Sequence, residues 1–164
     1  HLPKIKSGIK NTSDPLHVTA AHKKSTLDVI RSVSKNGGSR KPGMGPKCLD
    51  KVNGFSDVYG RMKWDRPSIT ITASARNPAS GRFTHPEQNR GLSIREASIL
   101  QGFPSSFSFN GAFDKKFSLI GNAVPPLFAS RIALHVIFDM LRNTKFEKTL
   151  QISTKKKETV KSSN

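Results

Sequence analysis

The apolar residues of this chain gather in a few short segments, and the spacing within each predicts a different element. Residues 126–142 hold the longest periodic run. Phe128, Ile132, Val136 and Met140 form one row at helical spacing, and Ala129, Ala133, Ile137 and Leu141 form the row beside it. Pro125 and Pro126 pre-set a first helical turn, so a helix is predicted there, with a broad apolar face that must be covered. A shorter helix is predicted over 94–101. Ser93 and Glu96 have the spacing of a capping box, Leu92 can staple onto Ala97, Gly102 supplies the stop and Pro104 keeps it stopped. Leu27, Ile30 and Val33 share one face of a predicted helix over 25–34, with Ser25 as N-cap and Asp28 three residues on. In Ile69-Thr70-Ile71-Thr72 apolar and polar β-branched residues alternate, which predicts a strand over 66–73.

The connecting stretches are long. Residues 1–24 are polar and punctuated by Pro3, Gly8 and Pro15. Residues 35–47 interleave glycine and proline with cations. Glycine lets another surface approach and the cations suit phosphate, but the composition fits a solvated loop equally well. Residues 74–91 form a loop carrying Arg76, Arg82, His85 and Arg90. Phe103, Phe107, Phe109, Phe113 and Phe117 stand in a turn-rich stretch, as core plugs or, less commonly, as platforms for stacked bases. After Asn143 little can be buried, so 143–164 are expected to be a basic flexible tail. There is no internal repeat.

Charge sharpens this picture. Twenty-eight Lys and Arg against 11 Asp and Glu give a formal charge of +17. Lys145, Lys148, Lys155, Lys156, Lys157 and Lys161 account for part of the excess, and the remainder is still strongly basic. Such an excess points to a polyanionic partner, because each neutralised phosphate releases counterions. A hydrophobic share of 34% is low for a self-sufficient globule and suits a chain that packs on something else. A single cysteine, Cys48, excludes a disulfide framework and a cysteine-rich metal site. No apolar run approaches the roughly 20 residues that span a bilayer. The start, His1-Leu2-Pro3-Lys4, has no methionine and no signal-peptide pattern, and reads as the interior of a longer coding sequence.

Catalytic constellations are nearly absent. There is no glycine-rich dinucleotide turn and no Walker-type loop. His1, His17, His22, His85 and His135 fit no zinc spacing. Cys48 is the sole candidate thiol nucleophile, with two lysines nearby but no positioned base. No catalytic residue and no metal ligand is assigned.

Two blocks carry a family likeness. Leu92-Ser93-Ile94-Arg95-Glu96-Ala97-Ser98-Ile99-Leu100-Gln101-Gly102-Phe103-Pro104 is followed about twenty residues on by Ile120-Gly121-Asn122-Ala123-Val124-Pro125-Pro126. In that order they resemble the ninth and tenth conserved motifs of the bacterial DNA cytosine-5 methyltransferases. Asp57 to Thr72 and Gly81 to Arg90 resemble the end of that family's target-recognition region, and Asp14-Pro15-Leu16-His17 and Gly37-Gly38-Ser39-Arg40 resemble one of its branches. The likeness covers about residues 1–142. It implies methyl transfer from S-adenosylmethionine to carbon 5 of a cytosine flipped out of duplex DNA, at a specific site and as part of restriction and modification. The family's Pro-Cys, Glu-Asn-Val and Phe-x-Gly-x-Gly motifs do not occur here, and Cys48 follows Lys47 rather than proline.

The resemblance therefore implies a part of such an enzyme. The expected fold is mixed α/β, the C-terminal portion of a Rossmann-like S-adenosylmethionine-dependent methyltransferase. A small loop-rich recognition domain would occupy 1–120, with its motif helix at about 93–101. Residues 121–142 would return to the catalytic domain and pack on it. Asn122, Ala123 and Val124 are implied cofactor contacts. Arg95, Glu96 and Gln101 are implied to hold loops. Ser39, Arg40, Arg76, Arg82 and His85 are the expected DNA contacts, arginine being the natural reader of guanine. The implied partners are double-stranded DNA and the N-terminal catalytic part, without a membrane, in the bacterial cytoplasm at the nucleoid. The alternative is a stand-alone basic DNA-binding module derived from such an enzyme. A generic RNA-associated protein explains the charge but none of the motifs.

Overall fold

A computed structural model describes residues 2–11, 13–51 and 56–161, with side chains as far as 143. Four α-helices carry its regular structure: α1 (Lys24–Ser32), α2 (Ile94–Leu100), α3 (Phe113–Asn122) and α4 (Pro126–Lys161), with short 3-10 turns at Lys47–Asp50 and Pro78–Ser80. The chain divides into two units, His1–Ala123 and Val124–Asn164.

In the first unit α2 packs on α3. The core joins Leu16, Met62, Ile71, Phe83, Leu92, Ile94, Ala97, Phe109, Phe117 and Ile120, and a smaller cluster joins Val29, Ile30, Val58 and Tyr59. Phe109 and Phe117 are core plugs, Phe103 and Phe113 pack against them half-buried, and Phe107 is exposed. Phe117 is fully buried, and Phe103, Phe107 and Phe109 form a trio with centroids 4.9–5.0 Å apart.

Both ends of α2 are fixed by local chemistry. Ser93 Oγ accepts from the Glu96 amide at 3.1 Å, and Glu96 Oε2 accepts from the Ser93 amide at 2.8 Å, which completes the capping box. At the other end Gly102 has φ 87°, its amide donates to Ile99 and the Phe103 amide donates to Ser98. This is a Schellman stop, and the left-handed φ is why glycine stands there.

Three expectations are corrected. Helix α1 starts one residue earlier than its pattern suggested. Lys23 is its N-cap, without a side-chain bond, and Ser25 lies inside the first turn. Residues 66–73 form no strand, and among the described residues only isolated bridges occur, at Lys10–Val18, Arg61–Thr84 and Thr84–Gly91. The alternation still sorts the side chains, with Ile71 2% exposed and Thr70 and Thr72 at the surface. A ladder is missing because the backbone of Thr72 and Ala73 lies against the end of α3, not against another strand. The third correction is α3 itself, in a stretch expected to be turns. Phe113, Phe117 and Ile120 have i, i+4, i+7 spacing, a signal obscured by the neighbouring phenylalanines and by Gly111 and Gly121.

The second unit is α4. Pro126 is its first residue, and the Ala129 amide bonds the Pro125 carbonyl at 2.9 Å. The helix does not stop near 142 but runs to Lys161 through the stretch expected to be a tail. No glycine or proline follows Pro126, and Lys, Glu, Gln and Leu are good helix formers. Residues 162–164 of that expected tail lie outside the described residues. The apolar surface of α4 is wider than two rows. Leu127, Phe128, Ile132, Leu134, Val136, Ile137 and Phe138 are all exposed, and the polar side is a narrow stripe of Arg131, His135, Asp139 and Arg142.

Candidate cofactor-side turn and DNA interface

The turn between α3 and α4 holds the three residues expected to touch a cofactor. Asn122 ends α3 with an exposed side chain, its Nδ2 in a long 3.5 Å contact with Ser118 Oγ. Ala123 is half-buried and its carbonyl accepts from Gln101 Nε2 at 2.9 Å. Val124 is exposed. Gly121 makes no tight turn. It sits in the last turn of α3, where a Cβ would lie 2.1 Å from the Ala73 nitrogen and 2.2 Å from the Thr72 carbonyl carbon. Glycine is required by close approach of two backbones, a contact between residues 48 or more positions apart that no local pattern announces.

The residues around α2 brace this turn and the loops beneath it. Arg95 binds Asp14 through two bonds, at 2.7 and 3.2 Å, and donates to the Phe107 carbonyl. The Arg95 hydrogen bond holds the Asp14 carboxyl below its ordinary pKa. Glu96 binds the buried Arg90 guanidinium with two bonds of 2.7 Å. Burial pushes the Glu96 carboxyl up, and the Arg90 bonds more than offset it, so its pKa lies below the usual value. His17 is fully buried, with Nε2 2.8 Å from the Pro3 carbonyl and Nδ1 2.8 Å from Ser93 Oγ. The carbonyl can only accept, so Nε2 carries the proton.

The five residues expected at DNA all have partners within the protein. Arg82 donates to Asp57, to the carbonyls of Gly37, Gly38 and Arg61, and to Ser39 Oγ, so it ties down the glycine loop and occupies Ser39 as well. Arg40 has a side chain 8% exposed. It pairs with Asp50 at 2.6 Å and donates to the carbonyls of Met44 and Leu49. Arg76 pairs with Asp114 at 3.0 Å and is the most exposed arginine of the set. His85 is buried, its Nδ1 accepts the Glu87 and Gln88 amides, and burial lowers its pKa to about 4.

Sequence reasoning missed Arg61. It is 1% exposed, and its guanidinium donates to the carbonyls of Val33, His85, Gln88 and Ile30 and to Asn89 Oδ1. Ile30 and Val33 lie at the end of α1, so Arg61 gives the Val33 carbonyl a donor beyond the helix and adds a second donor to the Ile30 carbonyl, which also accepts the Val33 amide. Nothing in Tyr59-Gly60-Arg61 signals this. Lys63 and Arg66 are exposed and have no acidic partner within 4 Å among the described residues. They border a groove of about 380 Å³ with Gly37, Pro67, Ser68 and Arg82. The exposed Trp64 lies between them in sequence, its indole N–H donating to Glu87 Oε1 at 3.1 Å. Cys48 is an exposed free thiol.

A family model described as C-5 cytosine-specific DNA methylase matches residues 4–137, and the chain belongs to that family. Among curated relatives it is similar to the type II methylase M.HgiDII of Herpetosiphon aurantiacus, 44% identical over 93 residues, covering 53% of this chain and 26% of that protein. It is 36% identical to the type II methyltransferase M1.HphI of Haemophilus parahaemolyticus over 84% of this chain and 34% of that protein. The chain thus spans about a quarter to a third of those relatives. Against the type II methyltransferase M.AquIB of Picosynechococcus sp. it is 33% identical over 144 residues, which cover 81% of this chain and 94% of that protein.

Proposed function

We propose that this chain is the DNA-recognition and cofactor-pocket-closing part of a DNA cytosine-5 methyltransferase in a restriction–modification system, inactive alone and active with the part that carries the nucleophile. The observation that carries this reading is α4. An isolated helix that is apolar on most sides is unstable in water and calls for burial, about 1.5–3 kcal/mol for each large side chain covered. The stretch Phe113–Asn143 also passes a length and hydropathy test for crossing a membrane. It is two helices interrupted at Ala123–Pro125, however, and Arg131, His135, Asp139 and Arg142 would stand in hydrocarbon at considerable cost. A protein core, the catalytic part, fits better. The matching relative of nearly the same length supports a separate subunit, and the longer relatives support the same segment within one chain.

S-adenosylmethionine supplies the methyl group in such an enzyme. Asn122 offers an exposed carboxamide and Val124 an exposed aliphatic group, which suits one wall of a pocket that must bind both polar and apolar parts of a ligand. On the DNA side, Arg82, Arg40 and Ser39 set the shape of the glycine loop, Arg76 offers a partly exposed guanidinium, and Lys63 and Arg66 supply phosphate contacts. His85 holds the turn at Glu87 and Gln88 by accepting their amides. A methyl-transfer assay on duplex DNA tests the division of labour. This chain alone should give no turnover, and mixing with the Pro-Cys-bearing part should restore it. Turnover by this chain alone refutes the reading.

A further inference from the structure

We infer that Gln101 is a positioning residue for the cofactor-side turn, acting through its bond to the Ala123 carbonyl; the inference rests on the reading just given. The argument begins with donors. A carbonyl just past a helix is ordinarily satisfied by an amide a few residues on. After Ala123 come Val124, Pro125 and Pro126, and the two prolines have no N–H to give. The prolines remove two of the nearest amides, and Gln101 Nε2 meets the Ala123 carbonyl at 2.9 Å across 22 residues.

Gln101 is well placed for this task. It is the C-cap of α2, and its own amide bonds the Ala97 carbonyl at 3.1 Å. The Schellman stop at Gly102 fixes the backbone on its far side. The other end of α2 is held by the capping box and by Arg95 on Asp14. Gly121 presses the same turn onto Thr72 and Ala73. Helix α2 thus ends on the turn that presents Asn122, and the recognition unit sets where that side chain stands. Asn122 has little else to orient it, given its long bond to Ser118.

The test uses the complete enzyme, this chain together with the catalytic part. Gln101→Glu keeps the shape and removes the donor, while Gln101→Lys keeps a donor. Asn122→Ala reports on the cofactor wall itself. The loss of one hydrogen bond to a half-buried carbonyl should raise the KM for S-adenosylmethionine by about 3- to 10-fold in Gln101→Glu, with Gln101→Lys affected less. The DNA Kd should stay within about twofold and the Tm of the complex within about 2 °C. If Asn122→Ala raises the cofactor KM and Gln101→Glu does not, the positioning role is wrong and the cofactor wall stands. If neither variant moves it, the cofactor-closing reading fails as well. Equal losses of DNA and cofactor affinity with a lower Tm would reduce Gln101 to a structural brace and overturn the inference.

Discussion

Replacing Gly121 by alanine separates two opposite effects of one methyl group. By helix propensity alone the change should stabilise α3, since alanine is better than glycine in a helix by about 1 kcal/mol. The tertiary contact argues the other way. The new Cβ would lie 2.1 Å from the Ala73 nitrogen, 2.2 Å from the Thr72 carbonyl carbon and 2.6 Å from the Thr72 oxygen, where ordinary contact begins at 3.4 Å. All three are backbone atoms, so no rotamer change can make room. Either α3 retreats by more than an ångström from Thr72–Ala73, or that segment shifts and withdraws Ile71 from the core. Overpacking of this kind costs about 1–3 kcal/mol, and the rigidity of both partners places it at the upper end. The net expectation is a loss of about 2 kcal/mol, a fall in Tm of roughly 8 °C for a unit of this size. Thermal unfolding followed by circular dichroism measures it, with Lys115→Ala in the same helix as a control that should change little. A Tm equal to or above that of the parent would refute the close approach and return Gly121 to a matter of local turn geometry.

Other consequences follow from the buried polar groups and the free cations. Arg61→Lys replaces five fixed donors by three on a flexible stem, leaves buried carbonyls unpaired, and should cost about 3–5 kcal/mol in urea denaturation; a loss under 1 kcal/mol would contradict the bond pattern. His85 has a folded pKa of about 4 against an ordinary value of 6.5, so between those values the unfolded chain binds more protons. Stability is then full above pH 6.5 and falls by up to about 3 kcal/mol toward pH 4, a slope that His85→Gln should flatten. Asp14 and Glu96, both held below their ordinary values, add losses only at lower pH. Lys63→Ala and Arg66→Ala in the complete enzyme should each reduce the salt slope of DNA binding by about 1 without altering Tm. Ile132→Asp on α4 should abolish association with the catalytic part in analytical ultracentrifugation while leaving the first unit folded.

The sequence by itself determined what is local. The capping box at Ser93 and Glu96, the stop at Gly102 and the helix start at Pro126 depend on side chains within a few residues of the groups they satisfy, so spacing alone revealed them. The paired motifs also placed the chain in its family, because they are short contiguous runs. Tertiary structure decided what charged side chains do. Arg40, Arg76 and Arg82 look alike in sequence to Lys63 and Arg66, and only folding puts Asp50, Asp114 and Asp57 beside the first three. It likewise made Arg61 a buried brace, refused residues 66–73 a ladder by laying α3 against them, and set Gly121 against the backbone of Thr72 and Ala73. A guanidinium's role is set by which acceptors come within about 3 Å, and the carboxylates that pair with Arg40, Arg76, Arg82 and Arg95 lie 10 to 81 residues away along the chain.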